Sequence, residues 1–359
     1  MTDEPLRVVV VEDSLTIRMH IVEVLSAAPN IQVVGDAADG KSAIELCQQL
    51  RPSVITMDMM LPVMTGVAAT EYIMAYCPTP ILIVSASTNR GELFRTYDAL
   101  AAGAVDVLEK PRGDESDQTW DDRLIQAVRM VARIRVITHP RARLAYGGRA
   151  LTALRTRPPP EKAPPIVRAP EVVGIGTSTG GPGALLTILA NLPAGFPLPI
   201  LVVQHISEPF GSAMAEWLDA QLNLEVRYAK HGELLPPPSE CRVLMAPPGR
   251  HLELQEGRLY LTHAPERHSC RPSVDVLFES LAREMPGKAL GCLLTGMGRD
   301  GARGLLAMKQ SGGVTLAQDE TSSIVFGMPG EAVKLGAATH VLPLSSIAAS
   351  LARWAGMHG

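Results

Sequence analysis

Aromatic side chains are scarce, making up 4 % of the 359 residues. A protein that grips single-stranded nucleic acid by stacking its bases needs a platform of such rings, so that class is excluded. Cysteine is sparse too: Cys47, Cys77, Cys241, Cys270 and Cys292 stand singly, with no CxxC pair. Such spacing excludes a zinc ribbon and a disulfide framework, and the five read as reduced thiols of a cytoplasmic chain. No apolar run reaches the roughly 18 residues needed to span a bilayer. The N-terminus, MTDEPLRVVVVED, carries acids where an export signal carries bases, so neither export nor membrane insertion is expected. Net charge is -4, which supplies no basic field to attract DNA or RNA, and nucleic acid is not an expected partner.

What is present is a globular composition, with 46 % hydrophobic and 19 % charged residues, in a chain long enough for two domains. Short apolar runs alternate with helical patterns from Leu6 onward. Strands are expected at Leu6, Ile31 to Gly35, Ser53 to Asp58, Ile81 to Ser85 and Ala104 to Leu108, with a first helix over Ser14 to Ala28 and a closing amphipathic helix from Thr119. Runs such as VVVV and ILIV lack period-two alternation, as strands covered on both faces do. Residues 1–138 are therefore expected to form a doubly wound parallel α/β domain.

Residues 139–170 hold seven prolines and seven Lys or Arg against one acid, a linker composition. A second α/β series occupies residues 171–359: VVGIG, PILVVQHI, CRVLMAP, a hairpin over HLELQEGRLYLTH, then ALGCLLTG, GVTLAQD and THVLPL. Helices are expected near Gly183 to Leu192, Ser212 to Leu222, Ser273 to Glu284 and Ala302 to Ser311. The fold class is α/β throughout, two doubly wound and mainly parallel domains.

In open parallel sheets the functional crevice lies beyond the carboxyl ends of the strands. In the first domain those ends read Glu12-Asp13, Asp58, Ser85 and Lys110. Three converging carboxylates repel one another unless a divalent cation sits among them, and all-oxygen donors suit Mg²⁺. One carboxylate, Asp58, can then attack a phosphoryl group while Ser85 and Lys110 hold its oxygens. The motifs VVEDS, MDMMLPVMTG and Lys110-Pro111 resemble those of response-regulator receiver domains. The resemblance implies phosphorylation of Asp58 by a histidine kinase, Mg²⁺ on Glu12, Asp13 and Asp58, and phosphate sensing by Ser85 and Lys110. Val107 stands where many receivers carry an aromatic ring, so ring gating is not expected.

In the second domain GIGTSTGGPGAL runs from a strand through a glycine turn into a helix, with Ser178 between Gly176 and Gly180. Small neighbours allow a sharp turn that exposes a nucleophile, and the helix start offers amide donors to a developing oxyanion. A serine needs a base and an orienting acid. His205 ends the strand PILVVQH, and Asp300 lies in TGMGRDGARG after the strand GCLL; alone, Asp300 also reads as a helix N-cap. His251 and His268 are weaker choices for the base. A dinucleotide site would need an acid where Gln204 and His205 stand, and a P-loop would need a lysine that is absent.

The motifs GIGTSTGGPGAL, QHI, RPSVDVLF, LTGMGRDGA and VFGMPGEA resemble the chemotaxis protein-glutamate methylesterases, the CheB family, in which a receiver and a linker precede the catalytic domain. That resemblance implies Ser178, His205 and Asp300 as catalytic residues, with the loops at Thr179 and Met297 stabilising an oxyanion. It implies hydrolysis of glutamate γ-methyl esters on cytoplasmic helices of chemoreceptors, with release of methanol, deamidation of receptor glutamines and a chemotaxis kinase as phosphodonor. The receiver is then expected to cover the catalytic crevice until Asp58 is phosphorylated. No cofactor is expected in the catalytic domain. The alternative is a response regulator that signals only by binding, with an inactive C-terminal docking domain.

Overall fold

The computed structural model describes residues 4–86, 89–111, 117–134, 136, 169–206 and 208–357. The chain divides into two compact units, Met1–Arg155 and Thr156–Gly359. The expected linker, residues 139–170, falls outside the described residues except for its last two.

The first unit runs β1 (Leu6–Val11), α1 (Leu15–Ala27), β2 (Ile31–Ala37), α2 (Gly40–Leu50), β3 (Val54–Met57), α3 (Gly66–Tyr76), β4 (Ile81–Ser85), α4 (Arg90–Ala101), β5 (Asp106–Glu109) and α5 (Asp117–Val131). Its five strands lie in the order β2-β1-β3-β4-β5, all parallel. Val8, Val9, Val10, Ile81, Leu82 and Ile83 have no exposed surface, which is why their runs carry no alternation. β5 starts two residues later than expected because Gly103, at φ 114°, is still turning the chain out of α4. The order reverses between β1 and β3, so the loops after these two strands face one crevice.

The second unit runs β6 (Val172–Thr177), α6 (Gly181–Ala190), β7 (Ile200–Gln204), α7 (Met214–Gln221), β8 (Val226–Tyr228), β9 (Glu233–Leu234), β10 (Val243–Met245), β11 (His251–Gln255), β12 (Arg258–Thr262), α8 (Val274–Glu284), β13 (Ala289–Leu293), α9 (Ala302–Gln310), β14 (Val314–Gln318), α10 (Met328–Lys334), β15 (His340–Leu342) and α11 (Leu344–Trp354). Seven strands form a parallel sheet in the order β15-β14-β13-β6-β7-β10-β8. β11 and β12 form the expected antiparallel hairpin, closed by Glu256 and Gly257 at φ 48° and 72°. β9 pairs with the outer edge of β12.

The topological switch of the large sheet lies between β6 and β13. Here Gly176 has a different role from the turn expected of it. It sits inside β6, where an added Cβ would overlap the methyls of Val274 at the start of α8. Its bareness lets the N-terminus of α8 press against the sheet edge. The sharp turn itself is made by Gly180, at φ 79°, and Pro182 occupies the first turn of α6.

Candidate functional site

In the first unit the crevice holds the acids named from the sequence. Glu12 and Asp58 are buried and Asp13 is exposed, and one oxygen from each lies within 4.8 Å of the others. Lys110, reaching from the end of β5, puts Nζ 2.8 Å from Glu12 Oε2, 3.0 Å from Oε1 and 3.1 Å from Asp58 Oδ2. Burial would lower its affinity for a proton, but the charges of Asp58 and Glu12 outweigh burial and raise it. Asp58 Oδ1 accepts the Met59 N–H at 2.7 Å, which turns Oδ2 toward the lysine. Ser85 is fully buried at the end of β4, and its carbonyl accepts the Lys110 N–H.

One lysine does not neutralise this pocket. Burial pushes Glu12 up to about 7 despite Lys110, and among the described residues its Oε2 has no partner besides the Lys110 ammonium at 2.8 Å. A buried, under-satisfied carboxylate beside two further acids is the donor set a hard divalent ion takes.

In the second unit the carboxyl ends of β6, β7 and β13 meet. Ser178 follows β6 directly; its N–H donates to Thr295 O at 3.0 Å, and its carbonyl accepts Gly181 N–H and Gln204 Nε2. The Thr295 hydroxyl donates to Thr179 O at 2.9 Å, so the turn at Ser178 is stitched to the loop after β13. His205 follows β7, its N–H on Thr177 O. Met297 is 42 % exposed on the glycine loop that leads to Asp300.

His205 and Asp300 are joined, Nε2 to Oδ2, at 2.9 Å. Asp300 is 1 % exposed and accepts three further bonds: Ser273 Oγ on Oδ1 at 2.7 Å, Val274 N–H on Oδ2 at 2.6 Å and Asp275 N–H on Oδ1 at 3.2 Å. It does not cap its own helix, since Gly301 takes that place at φ 87°. It sits instead on the N-terminus of α8, where the helix dipole favours a negative charge. Burial alone would raise its pKa; the His205 bond and charge, Ser273 and Val274 together hold it below the usual carboxylate range. Burial likewise opposes a proton on His205, but Asp300, with Cys270, overrides it and lifts the imidazole to about 9.

The second ring nitrogen faces a residue sequence reasoning did not place here. Cys270 Sγ lies 3.7 Å from His205 Nδ1. Among the described residues no hydrogen bond links the ring to the Ser178 hydroxyl. Ser273 was missed as well, although a serine before an apolar helical run is a cap signal that could have drawn attention to it. Of the weaker candidates, His251 is buried and accepts Ser273 N–H on Nδ1, and His268 pairs with buried Asp275 at 3.2 Å. An open cleft of about 490 Å³ borders the site, lined by His268, Ser269, Cys270, Met297, Asp300 and Glu331 among others.

Residues 173–351 match the CheB methylesterase family and residues 8–118 the response regulator receiver domain. A protein-glutamate methylesterase/protein-glutamine glutaminase of Anaeromyxobacter dehalogenans is 45 % identical over 350 residues, covering 97 % of each chain. One of Myxococcus xanthus is 42 % identical over 98 % of this chain and 97 % of its own. The catalytic domain of CheB methylesterase from Thermotoga maritima is 37 % identical over 52 % of this chain and 99 % of that one, with a TM-score of 0.49. With such identity along nearly its whole length, the chain belongs to the CheB family of receiver-linked methylesterases.

Proposed function

We propose that the chain hydrolyses γ-methyl esters of glutamate on the cytoplasmic helices of chemoreceptors, releasing methanol, and deamidates receptor glutamines by the same acyl chemistry. The observation that carries this reading is the bond between partly buried His205 and buried Asp300, set at the sheet edge beside the Ser178 turn. With Nε2–H committed to Asp300, the lone pair is on Nδ1, and Nδ1 takes the Ser178 proton as the hydroxyl attacks the ester carbonyl. Resting sites often hold such bonds long or open and tighten them only around substrate. Asp300 keeps the tautomer and stabilises the imidazolium, which returns its proton to the leaving methoxide. Backbone amides at Thr179 and Met297 face the developing oxyanion. Water then repeats the cycle on the acyl-enzyme.

The receiver regulates this activity through phosphorylation of Asp58 by a histidine kinase. Glu12, Asp13 and Asp58 would hold Mg²⁺, which supplies charge neutralisation at the phosphoryl group. Lys110 and Ser85 hold and read the phosphoryl oxygens. Among the described residues no helix is long and apolar enough to cross a membrane. The proposed receptor helices and kinase put the working enzyme in the cytoplasm.

The test is methanol release from methylated receptor fragments, with and without a small phosphodonor. The phosphodonor is expected to accelerate the intact chain and leave Asp58→Ala at its basal rate; EDTA should remove the acceleration without lowering that basal rate. An Asp58→Ala chain that responds in full would remove the assignment. A second expectation is set by His205, which acts as a base only when neutral. With its pKa near 9, kcat/KM should climb about tenfold per pH unit from pH 7 and level off near pH 9. A profile already flat at pH 7 would contradict it. The His205–Asp300 pair also stabilises the fold below the ordinary imidazole range, and that contribution should fade as pH rises through about 9.

A further inference from the structure

Cys270 is not needed by the ester chemistry, yet it occupies the free side of the catalytic imidazole. It is partly exposed, on the loop between β12 and α8 where His268 and Ser269 both hold positive φ, and it lines the open cleft. Its Sγ lies 3.7 Å from His205 Nδ1 and 3.4 Å from His268 O. A tetrahedral zinc ion with its usual bonds to nitrogen and sulfur spaces those two atoms by about 3.5 Å. The opposite ring nitrogen donates to Asp300 Oδ2, the carboxylate–histidine arrangement that orients a metal-bound imidazole and raises its basicity. Sulfur, nitrogen and carboxylate donors of His205, Cys270 and Asp300 all lie within 4.8 Å of one another.

We propose that Cys270 Sγ and His205 Nδ1 form an inhibitory binding site for a thiophilic divalent cation, zinc being the probe, with Asp300 as the outer carboxylate. Binding releases the thiol proton and the proton that Nδ1 carries on the imidazolium to solvent, forms one metal–sulfur and one metal–nitrogen bond, and leaves the remaining positions to water in the cleft. The lone pair that would accept the Ser178 proton is then in a metal bond, so ester hydrolysis stops until the ion leaves. Thiolate and imidazole select zinc over Mg²⁺, which the oxygen pocket of the first unit prefers. The inhibition rests on the proposed role of His205 as base; the binding does not.

Two readouts separate these. The EDTA-dialysed full chain is titrated with Co²⁺, whose thiolate charge-transfer absorption in the near ultraviolet reports a metal–sulfur bond whether or not the enzyme turns over. In parallel, zinc is titrated into the methanol assay, each protein referred to its own metal-free rate. The intact chain is expected to show the band and to lose activity reversibly, with EDTA restoring it. Cys270→Ser should lose the band and need at least about tenfold more zinc for half-inhibition. Absence of the band in the intact chain, or its persistence in Cys270→Ser, overturns the site. A half-inhibiting concentration unchanged in Cys270→Ser overturns the inhibition. A metal-free chain that releases no methanol counts against the esterase reading alone, and the cobalt titration still decides the site.

Discussion

Replacing Ser178 by alanine is expected to reduce methanol release from methylated receptor fragments by about 10⁴-fold or more, while leaving the fold intact. The size follows from the chemistry. Without the hydroxyl no acyl-enzyme forms, and what remains is substrate positioning plus the amides around Thr179 and Met297, a residue of catalysis well short of the whole. Stability should change by no more than about 0.5 kcal/mol, because among the described residues only the main chain of Ser178 is bonded, to Thr295, Gly181 and Gln204. Measuring kcat together with a urea midpoint reads both halves. A loss smaller than about tenfold, or a variant that fails to fold, would contradict the role given to this side chain.

Asp300→Ala should behave in the opposite way and damage both quantities. The carboxylate receives His205 Nε2, Ser273 Oγ and the N–H groups of Val274 and Asp275. Removing it strands these buried donors and the cation on His205, at a cost of about 3 kcal/mol or more. Catalysis should fall by about 10³–10⁴-fold as the imidazole loses its tautomer and its counter-charge. Asp300→Asn is the finer probe. It keeps one acceptor oxygen and most of the volume, so the rate should fall nearly as far while the urea midpoint moves less. Equal rates in Asp300→Asn and the parent would show that the charge is not used.

The positions of the acids and of Ser178, His205 and Asp300 were legible because parallel strands announce themselves. Runs with no alternation, such as those around Val9 and Val202, are buried on both sides, and whatever follows them stands at the crevice. Two short strands were not legible: β8 and β9 have three and two residues and, unlike the equally short β10 and β15 within CRVLMAP and THVLPL, lie in no apolar run that was noticed. Nor was α11 singled out, although Ile347, Leu351 and Trp354 recur at helical spacing and are buried. Cys270 escaped for a different reason. It is carried by a loop held in shape by left-handed residues and by contacts with α8, and no local pattern says that such a loop returns to a histidine 65 positions earlier. Gly176 was noticed but explained by turning, whereas the cause is the close approach of Val274 across the sheet.

The way Asp300 is held has a bearing on how duplicated copies of this gene would decay. A copy released from selection for esterase activity would still need the carboxylate, since the start of α8 and the Ser273 side chain are anchored on it. The Ser178 hydroxyl anchors nothing among the described residues, so it is free to drift to alanine or glycine. In a set of such descendants, an intact aspartate would testify only to a surviving scaffold. The serine is the letter whose persistence would testify to turnover.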